Sequence, residues 1–365
     1  MKTIVVLSNH SVWTYNLRAE ILQELIRLGH RVIVVVGSGK RIEDLKQLGC
    51  EHMDVPFNRH GMNPFNEIRL FNAYRKIVKE VRPDVVLTYT VKPNLYGAFL
   101  CRKYHIPCIA NITGLGTAVE YPGPMQSVLC AAYRFAFQDI YKVFFQNTAN
   151  RDVFLEKGIV KDHYDLLPGS GVNVNRFKTI EYPSEKTVEF VFISRIMKEK
   201  GIDQYLSAAR VIREKYPFTK FHVCGFCEPE YSGTLEQSQK LGDVIYHGMV
   251  DDVRDILAIT HCLVLPTYYP EGMSNVLLES AACGRPIITT NRPGCREIID
   301  DGYNGFICKA KNDADLISVI ERFINLTYEE KVQMGLNGRR KVEKQFDREI
   351  VVRKYVAAIN NSQDE

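Results

Sequence analysis

The stretch Leu263-Val264-Leu265-Pro266-Thr267-Tyr268-Tyr269-Pro270-Glu271-Gly272-Met273-Ser274-Asn275-Val276-Leu277-Leu278-Glu279-Ser280-Ala281-Ala282-Cys283-Gly284-Arg285-Pro286 changes character three times. Its apolar start, ending at Pro266, reads as a strand buried on both faces. A loop follows. Apolar residues then recur at helical spacing from Ser274 or Asn275 until Gly284, where a helix can stop. Pro286 opens a further apolar run. Strand, loop, helix and strand form the repeating unit of a parallel sheet.

The same unit repeats outward in both directions. Residues 3–8, 31–37, 85–90, 107–113 and 142–146 read as strands, with helices at 16–28, 66–80, 94–104 and 125–139. The pattern pauses at 168–183, which begins Pro168-Gly169-Ser170-Gly171, and then restarts. Strands are expected at 188–194, 220–226, 244–247, 262–266 and 286–290, and helices at 201–215, 275–283 and 314–326. The reading is therefore α/β: two doubly wound Rossmann-like domains facing across a cleft. The first spans 1–170, a linker 171–186 and the second 187–346. A last helix, about 347–362, is expected to pack back on the first domain.

The quoted stretch also carries chemistry. Gly272 lets the backbone approach a ligand closely. Amides of Met273, Ser274, Asn275 and Val276 would stand at a helix N-terminus, where an anion such as a diphosphate is favoured. Glu271 in the loop and Glu279 in the helix can accept hydrogen bonds from hydroxyl pairs, as on sugar rings. The same residues would also serve an ordinary solvated helix start. A second segment, Ser194-Arg195-Ile196-Met197-Lys198-Glu199-Lys200-Gly201, follows the first strand of the second domain. Arg195 and Lys200 there could neutralise a diphosphate and stabilise it as a leaving group, or be plain surface charge.

Composition narrows the class. Of 365 residues, 45% are hydrophobic and 25% charged, as in ordinary globular proteins. The longest stretch without a charged residue, 104–119, contains Pro107, Gly114 and Gly116. A spanning helix needs ~20 mostly apolar residues, so none is expected. The apolar run near Met1 is too short for a signal peptide, and a cytoplasmic location is expected. The ten cysteines are expected to be reduced core thiols. Cys224-Gly225-Phe226-Cys227 has zinc-ligand spacing but no second pair, and no metal site is expected. Residues 1–180 hold 23 Lys/Arg against 15 Asp/Glu. That basic half fits an anionic partner. No nucleic-acid reader motif accompanies it, so nucleic acid is not expected.

Together the two segments resemble retaining glycosyltransferases of family 4, which have the GT-B architecture. The resemblance rests on Glu271 and Glu279 within Pro270-Glu271-Gly272 and Ala281-Ala282-Cys283-Gly284-Arg285-Pro286, and on Arg195 with Lys200-Gly201. Pro168-Gly169-Ser170-Gly171-Val172-Asn173 looks like the family's linker motif. Tyr246-His247-Gly248-Met249-Val250 resembles its base-holding segment. The resemblance implies that Arg195, Lys200, Gly272 and Met273–Val276 bind the donor diphosphate. It implies that Glu279 binds ribose, Glu271 contacts the transferred sugar and Val250 lies at the base. Arg195, Lys200 and Glu271 are then the catalytic set, with no cofactor and no metal. Two departures stand out. Gly225-Phe226-Cys227 replaces the usual Gly-Asp-Gly, and Ser8-Asn9-His10-Ser11 replaces a glycine-rich loop.

Thr90-Val91-Lys92-Pro93-Asn94 and Ala110-Asn111-Ile112-Thr113-Gly114-Leu115-Gly116-Thr117 look like a bacterial branch. That branch builds capsule, O-antigen and other oligosaccharides on undecaprenyl diphosphate, often from UDP-linked N-acetylhexosamines. It implies Asn9, His10, Asn111, Thr113 and Gly114 on the acceptor side, a nucleotide sugar and a lipid-diphosphate-linked saccharide as partners, and peripheral attachment to the inner face of an anionic membrane. Arg59, Arg69, Arg75, Lys76, Lys79 and Lys92, with Met62, Phe65 and Phe71, are the candidate membrane contacts. Competing readings are a UDP-sugar epimerase of the same fold and a non-catalytic nucleotide-sugar-binding protein.

Overall fold

The computed structural model describes residues 1–57, 63–120 and 122–363. The chain forms two units, Met1–Gly171 with Arg348–Glu365, and Val172–Asp347. Unit 1 runs β1 (Thr3–Leu7), α1 (Ser11–Arg27), β2 (Arg31–Val35), α2 (Ile42–Gln47), β3 (Glu51–Met53), α3 (Pro64–Val81), β4 (Val85–Tyr89), α4 (Val91–Tyr104), β5 (Cys108–Ile112), α5 (Thr117–Glu120), α6 (Pro124–Ala136), β6 (Lys142–Phe145), α7 (Thr148–Glu156) and β7 (Tyr164–Leu166). Unit 2 runs β8 (Val188–Ile193), α8 (Ile202–Lys215), β9 (Thr219–Cys224), α9 (Ser232–Lys240), β10 (Ile245–Tyr246), α10 (Val253–Ile259), β11 (Cys262–Leu265), α11 (Asn275–Ala282), β12 (Ile287–Thr290), β13 (Gly305–Cys308), α12 (Asp313–Ile324) and α13 (Tyr328–Gln345). The last helix, α14 (Arg348–Asn360), returns to unit 1.

Both sheets are parallel throughout. Their orders are β3-β2-β1-β4-β5-β6-β7 and β10-β9-β8-β11-β12-β13. Each is Rossmann-like, with the order reversing beside its first strand, where ligands bind beyond the carboxyl ends. The central strands β1, β4, β8 and β11 are almost wholly buried, which is why they read as unbroken apolar runs.

The stretch expected as a linker belongs to unit 2. Val172, Val174 and Phe177 lie in its core, and the Val172 N–H donates to the Phe346 carbonyl at 2.9 Å. The fully buried Arg285 fastens the segment, donating to the carbonyls of Ile180 at 3.0 Å and Glu181 at 2.6 Å. Arg339 does the same at Val174 and Phe177. Gly171 must stay small: a Cβ there would lie 2.6 Å from the Arg348 Cα, in a backbone with φ of +65°.

Two buried histidines, His222 and His261, make folding of this chain pH-dependent, and His261 has the clearer geometry. His261 accepts the Glu189 N–H on Nδ1 at 3.0 Å, so its proton is on Nε2, facing the Ser184 carbonyl at 3.1 Å. Charging the ring would set two N–H groups against each other. Burial pushes this imidazole down from 6.5 to about 4. The unfolded chain therefore binds more protons between those values. Stability is complete above the unfolded value and declines as pH falls towards the folded one, by about 3 kcal/mol at most. Thermal unfolding should show this loss on acidification, and His261→Gln should remove its share, leaving that of His222, whose imidazole burial also pushes down.

Candidate active site

The loop between β11 and α11 is held by its neighbours rather than by its own sequence. The Tyr268 N–H and the Thr267 hydroxyl both donate to the Glu199 carbonyl, at 2.9 and 3.2 Å. Glu199 precedes Lys200 in a short 3-10 turn, Lys198–Lys200. Gly201, at φ +81°, lets that turn press on the end of β11, since a Cβ would lie 2.2 Å from the Pro266 oxygen. Gly294 backs the loop from the other side. Its φ is +86°, and a Cβ would meet the Gly272 oxygen at 2.7 Å and the Glu271 Cβ at 2.9 Å.

These constraints bring Lys200 and Glu271 into a direct ion pair with side-chain exposures of 10% and 17%. That much shielding makes the pair stronger than a surface pair and makes either partner costly to strand. The Tyr269 ring lies 4.7 Å from the Lys200 Nζ and 5.7 Å from the Arg195 Cζ. One aromatic face thus gathers both cations. Arg195 is exposed and reaches Glu228 at 3.7 Å. Cys295 feels the charges of Glu271 and Lys200, but burial pushes its thiol up to about 12. It stays protonated and is no nucleophile.

Met273 and Ser274 are buried; Asn275, Val276 and Glu279 are half-buried. The expected row of free amides needs a correction. The Ser274 N–H donates to the Gly294 carbonyl at 2.9 Å, because Gly294 packs directly behind the loop. The Asn275 Oδ1 is buried with no hydrogen-bond partner in the structure. Val250 is half-buried at the end of the segment after β10. That segment is joined to the ends of β8 and β9: the Gly225 N–H donates to the Gly248 carbonyl at 2.8 Å, and the Tyr246 hydroxyl to the Gly225 carbonyl at 2.9 Å. Gly225 has φ +136°, and a Cβ would overlap the Ser194 oxygen at 1.8 Å. The carboxyl ends of β8, β9, β10 and β11 therefore form one ledge carrying Arg195, Lys200, Glu271, Val250 and the start of α11.

In unit 1, Asn9 and His10 lie between β1 and α1, and Thr113 and Gly114 after β5; all four are half-buried. The His10 carbonyl accepts the Thr14 N–H at 3.0 Å and so starts α1. Asn111 is corrected. It is 1% exposed, donates to the Tyr355 hydroxyl at 2.7 Å and accepts from Gln146 at 3.2 Å. Its side chain ties α14 to the sheet and is buried away from solvent, where a sugar does not reach it. Of the membrane candidates, Lys92 pairs with Glu67 at 2.6 Å and Phe71 packs inward. Arg69, Arg75, Lys76, Lys79 and Phe65 are exposed. Arg59 and Met62 lie outside the described residues.

Sequence reasoning missed Tyr269 and Gly294. Tyr269 stood in the quoted stretch with no charge to draw notice. Gly294 follows Arg292-Pro293, a Pro-Gly turn signal just beyond β12. All ten cysteines are free thiols, nine of them buried. Among the described residues no group of His, Cys, Asp or Glu could hold a metal ion, and no helix is long and apolar enough to cross a membrane.

Two Rossmann-like parallel sheets, with cations, carboxylates and a helix start at the carboxyl edge of the second, make up the GT-B architecture. Anabaena HepE in complex with UDP and glucose superposes at a TM-score of 0.81, covering 99% of this chain and 100% of that one at 17% identity. Residues 174–341 match the family model "Glycosyl transferases group 1" and residues 3–147 "Glycosyl transferase 4-like". The capsular polysaccharide biosynthesis glycosyltransferase CapM of Staphylococcus aureus is 30% identical over 88% of this chain and 87% of its own. The N,N'-diacetylbacillosaminyl-diphospho-undecaprenol alpha-1,3-N-acetylgalactosaminyltransferase of Campylobacter jejuni is 26% identical over 96% of each chain. The chain belongs to the group 1 glycosyltransferases with a family-4-like N-terminal domain.

Proposed function

We propose that this enzyme moves an N-acetylhexosamine from a UDP-sugar to a saccharide carried on undecaprenyl diphosphate, with retention of anomeric configuration and without a metal. The observation that carries the reading is the Lys200–Glu271 pair beside Arg195, at the foot of the α11 N-terminus. Its chemistry is that of a diphosphate site with a carboxylate at its border. The Campylobacter jejuni relative, similar over almost its whole length, supports the class of donor sugar and acceptor. The HepE complex supports a UDP-linked donor.

Arg195 and Lys200 meet the negative charge of the donor diphosphate, helped by amides at Met273, Asn275 and Val276. Glu279 accepts from the ribose hydroxyls. When diphosphate draws Lys200 away, Glu271 is released to accept from hydroxyls of the transferred sugar. The bond from the anomeric carbon to the β-phosphate oxygen then breaks, and the acceptor hydroxyl oxygen bonds that carbon on the same face. The hydroxyl proton passes to the departing phosphate oxygen, and UDP leaves. The cations stabilise charge that grows as the bond breaks, so they lower the barrier and not merely the ground state.

The test is a panel of UDP-N-acetylhexosamines with a short-chain polyprenyl-diphosphate saccharide, run in EDTA. The expected result is a product with the donor's anomeric configuration, formed at an undiminished rate in chelator. Activity lost in EDTA and restored by magnesium or manganese would overturn the metal-free account.

A further inference from the structure

Trp13 is the sole tryptophan of the chain, and it is 52% exposed. A side chain that large ordinarily sits in a core or an interface. Its place in the first turn of α1 sets its direction. Ser11, Thr14 and Arg18, at spacings of three and four, are the buried side of the helix start, and position 13 faces away from them. That turn is pinned. The Thr14 hydroxyl donates to the His10 carbonyl at 2.8 Å and lies 2.7 Å from the Ser8 Oγ. The Ser11 hydroxyl donates to the Lys40 carbonyl at 2.5 Å, and Gly39 packs against it. The indole is therefore presented on a fixed base.

The His10 ring lies 6.3 Å from that of Trp13, with the two planes at 44°. They form an open aromatic corner at the carboxyl end of β1, where the strand order of the unit 1 sheet reverses. Across that reversal, just after β4, Thr90 holds φ at +72°. A β-branched residue is strained there, and such strain gathers at functional positions. Asn9 and Thr113, both half-buried, bring hydrogen-bonding groups to the same edge.

We propose that Trp13 is a stacking platform for a pyranose ring of the acceptor saccharide, with His10 as its side wall. One face of a pyranose presents C–H groups, whose slight positive charge suits the negative face of an indole. The ring's hydroxyls leave at the rim, and polar groups are what this edge supplies. A lipid surface fits worse. An interfacial helix needs an apolar face, and Trp13 is the one large apolar side chain exposed on α1. A sugar needs only one flat ring. The inference rests on the reading that the acceptor is a saccharide, and it adds a residue that grips it.

Because Trp13 stands alone, tryptophan emission of the unaltered chain reports on it directly. Titration with a short-chain polyprenyl-diphosphate saccharide should change the emission saturably. UDP alone, or phosphatidylglycerol vesicles without saccharide, should leave it unchanged. W13A should raise the acceptor KM roughly tenfold, the size of one aromatic contact, while UDP affinity and kcat at saturating acceptor hold. W13F should recover most of that loss and W13L little, because stacking needs a flat ring whereas an apolar filler is served by either. An unchanged KM in W13A, or W13L as good as W13F, would overturn the platform. So would emission that follows UDP or vesicles and ignores the saccharide. If transfer persists through those results, the proposed function stands. A saturable emission change with no transfer from any UDP-sugar would sink that function and spare the platform.

Discussion

Replacing Lys200 by alanine is expected to lower kcat on the order of 10²–10³-fold, as removal of one preorganised charge donor does elsewhere. UDP affinity should fall too, roughly 10–100-fold, because a charge-assisted contact to the ground-state diphosphate goes with it. A further loss is specific to this site. Glu271 would keep a partly buried charge with its ammonium partner removed, and Lys200 is 10% exposed in the pair. Thermal stability should therefore drop by about 1–3 kcal/mol. Lys200→Arg should recover charge but not rate, because the planar fork is larger than the ammonium that Tyr269 and Glu271 enclose. Full activity in Lys200→Ala would remove the cation from the mechanism.

Glu271→Gln should separate turnover from binding. The amide keeps the shape but loses the charge that accepts from sugar hydroxyls as the anomeric carbon becomes electron-poor. Turnover is expected to fall roughly a hundredfold. UDP affinity should hold or rise, since the variant no longer competes with diphosphate for Lys200. Kinetics with a titration of UDP measure both. An equal loss of turnover and UDP affinity would place Glu271 at the nucleotide and not at the sugar.

The repeated strand–helix unit and the parallel sheets were legible because central strands are buried on both faces and show it as unbroken Val, Ile and Leu. Three of the four edge strands were not; β10 alone fell inside an expected strand, 244–247. Glu51–Met53 and Tyr164–Leu166 are short and polar, because one side of each has no neighbour to bury against. Short helices such as Ile42–Gln47 were missed for want of enough turns to show a period. The ledge in unit 2 was legible through its charges and glycines. The contacts that hold it were not. Gly294 lies beyond the next strand, and its carbonyl takes the Ser274 amide only because the chain returns there in three dimensions. Asn111 shows the opposite error. A polar residue at a strand end reads as a ligand contact, but its partner Tyr355 lies far along the chain on the returning helix. The segment 171–186 read as linker because it is rich in turn residues, while the arginines that fasten it, Arg285 and Arg339, sit in distant helices and loops.

The most direct test of the central claim is the dependence of UDP release on acceptor. With the correct UDP-N-acetylhexosamine, UDP should appear only when a lipid-diphosphate saccharide is present, one UDP for each sugar transferred. Conversion of the donor into its epimer with no UDP, or donor binding with neither product, would contradict it.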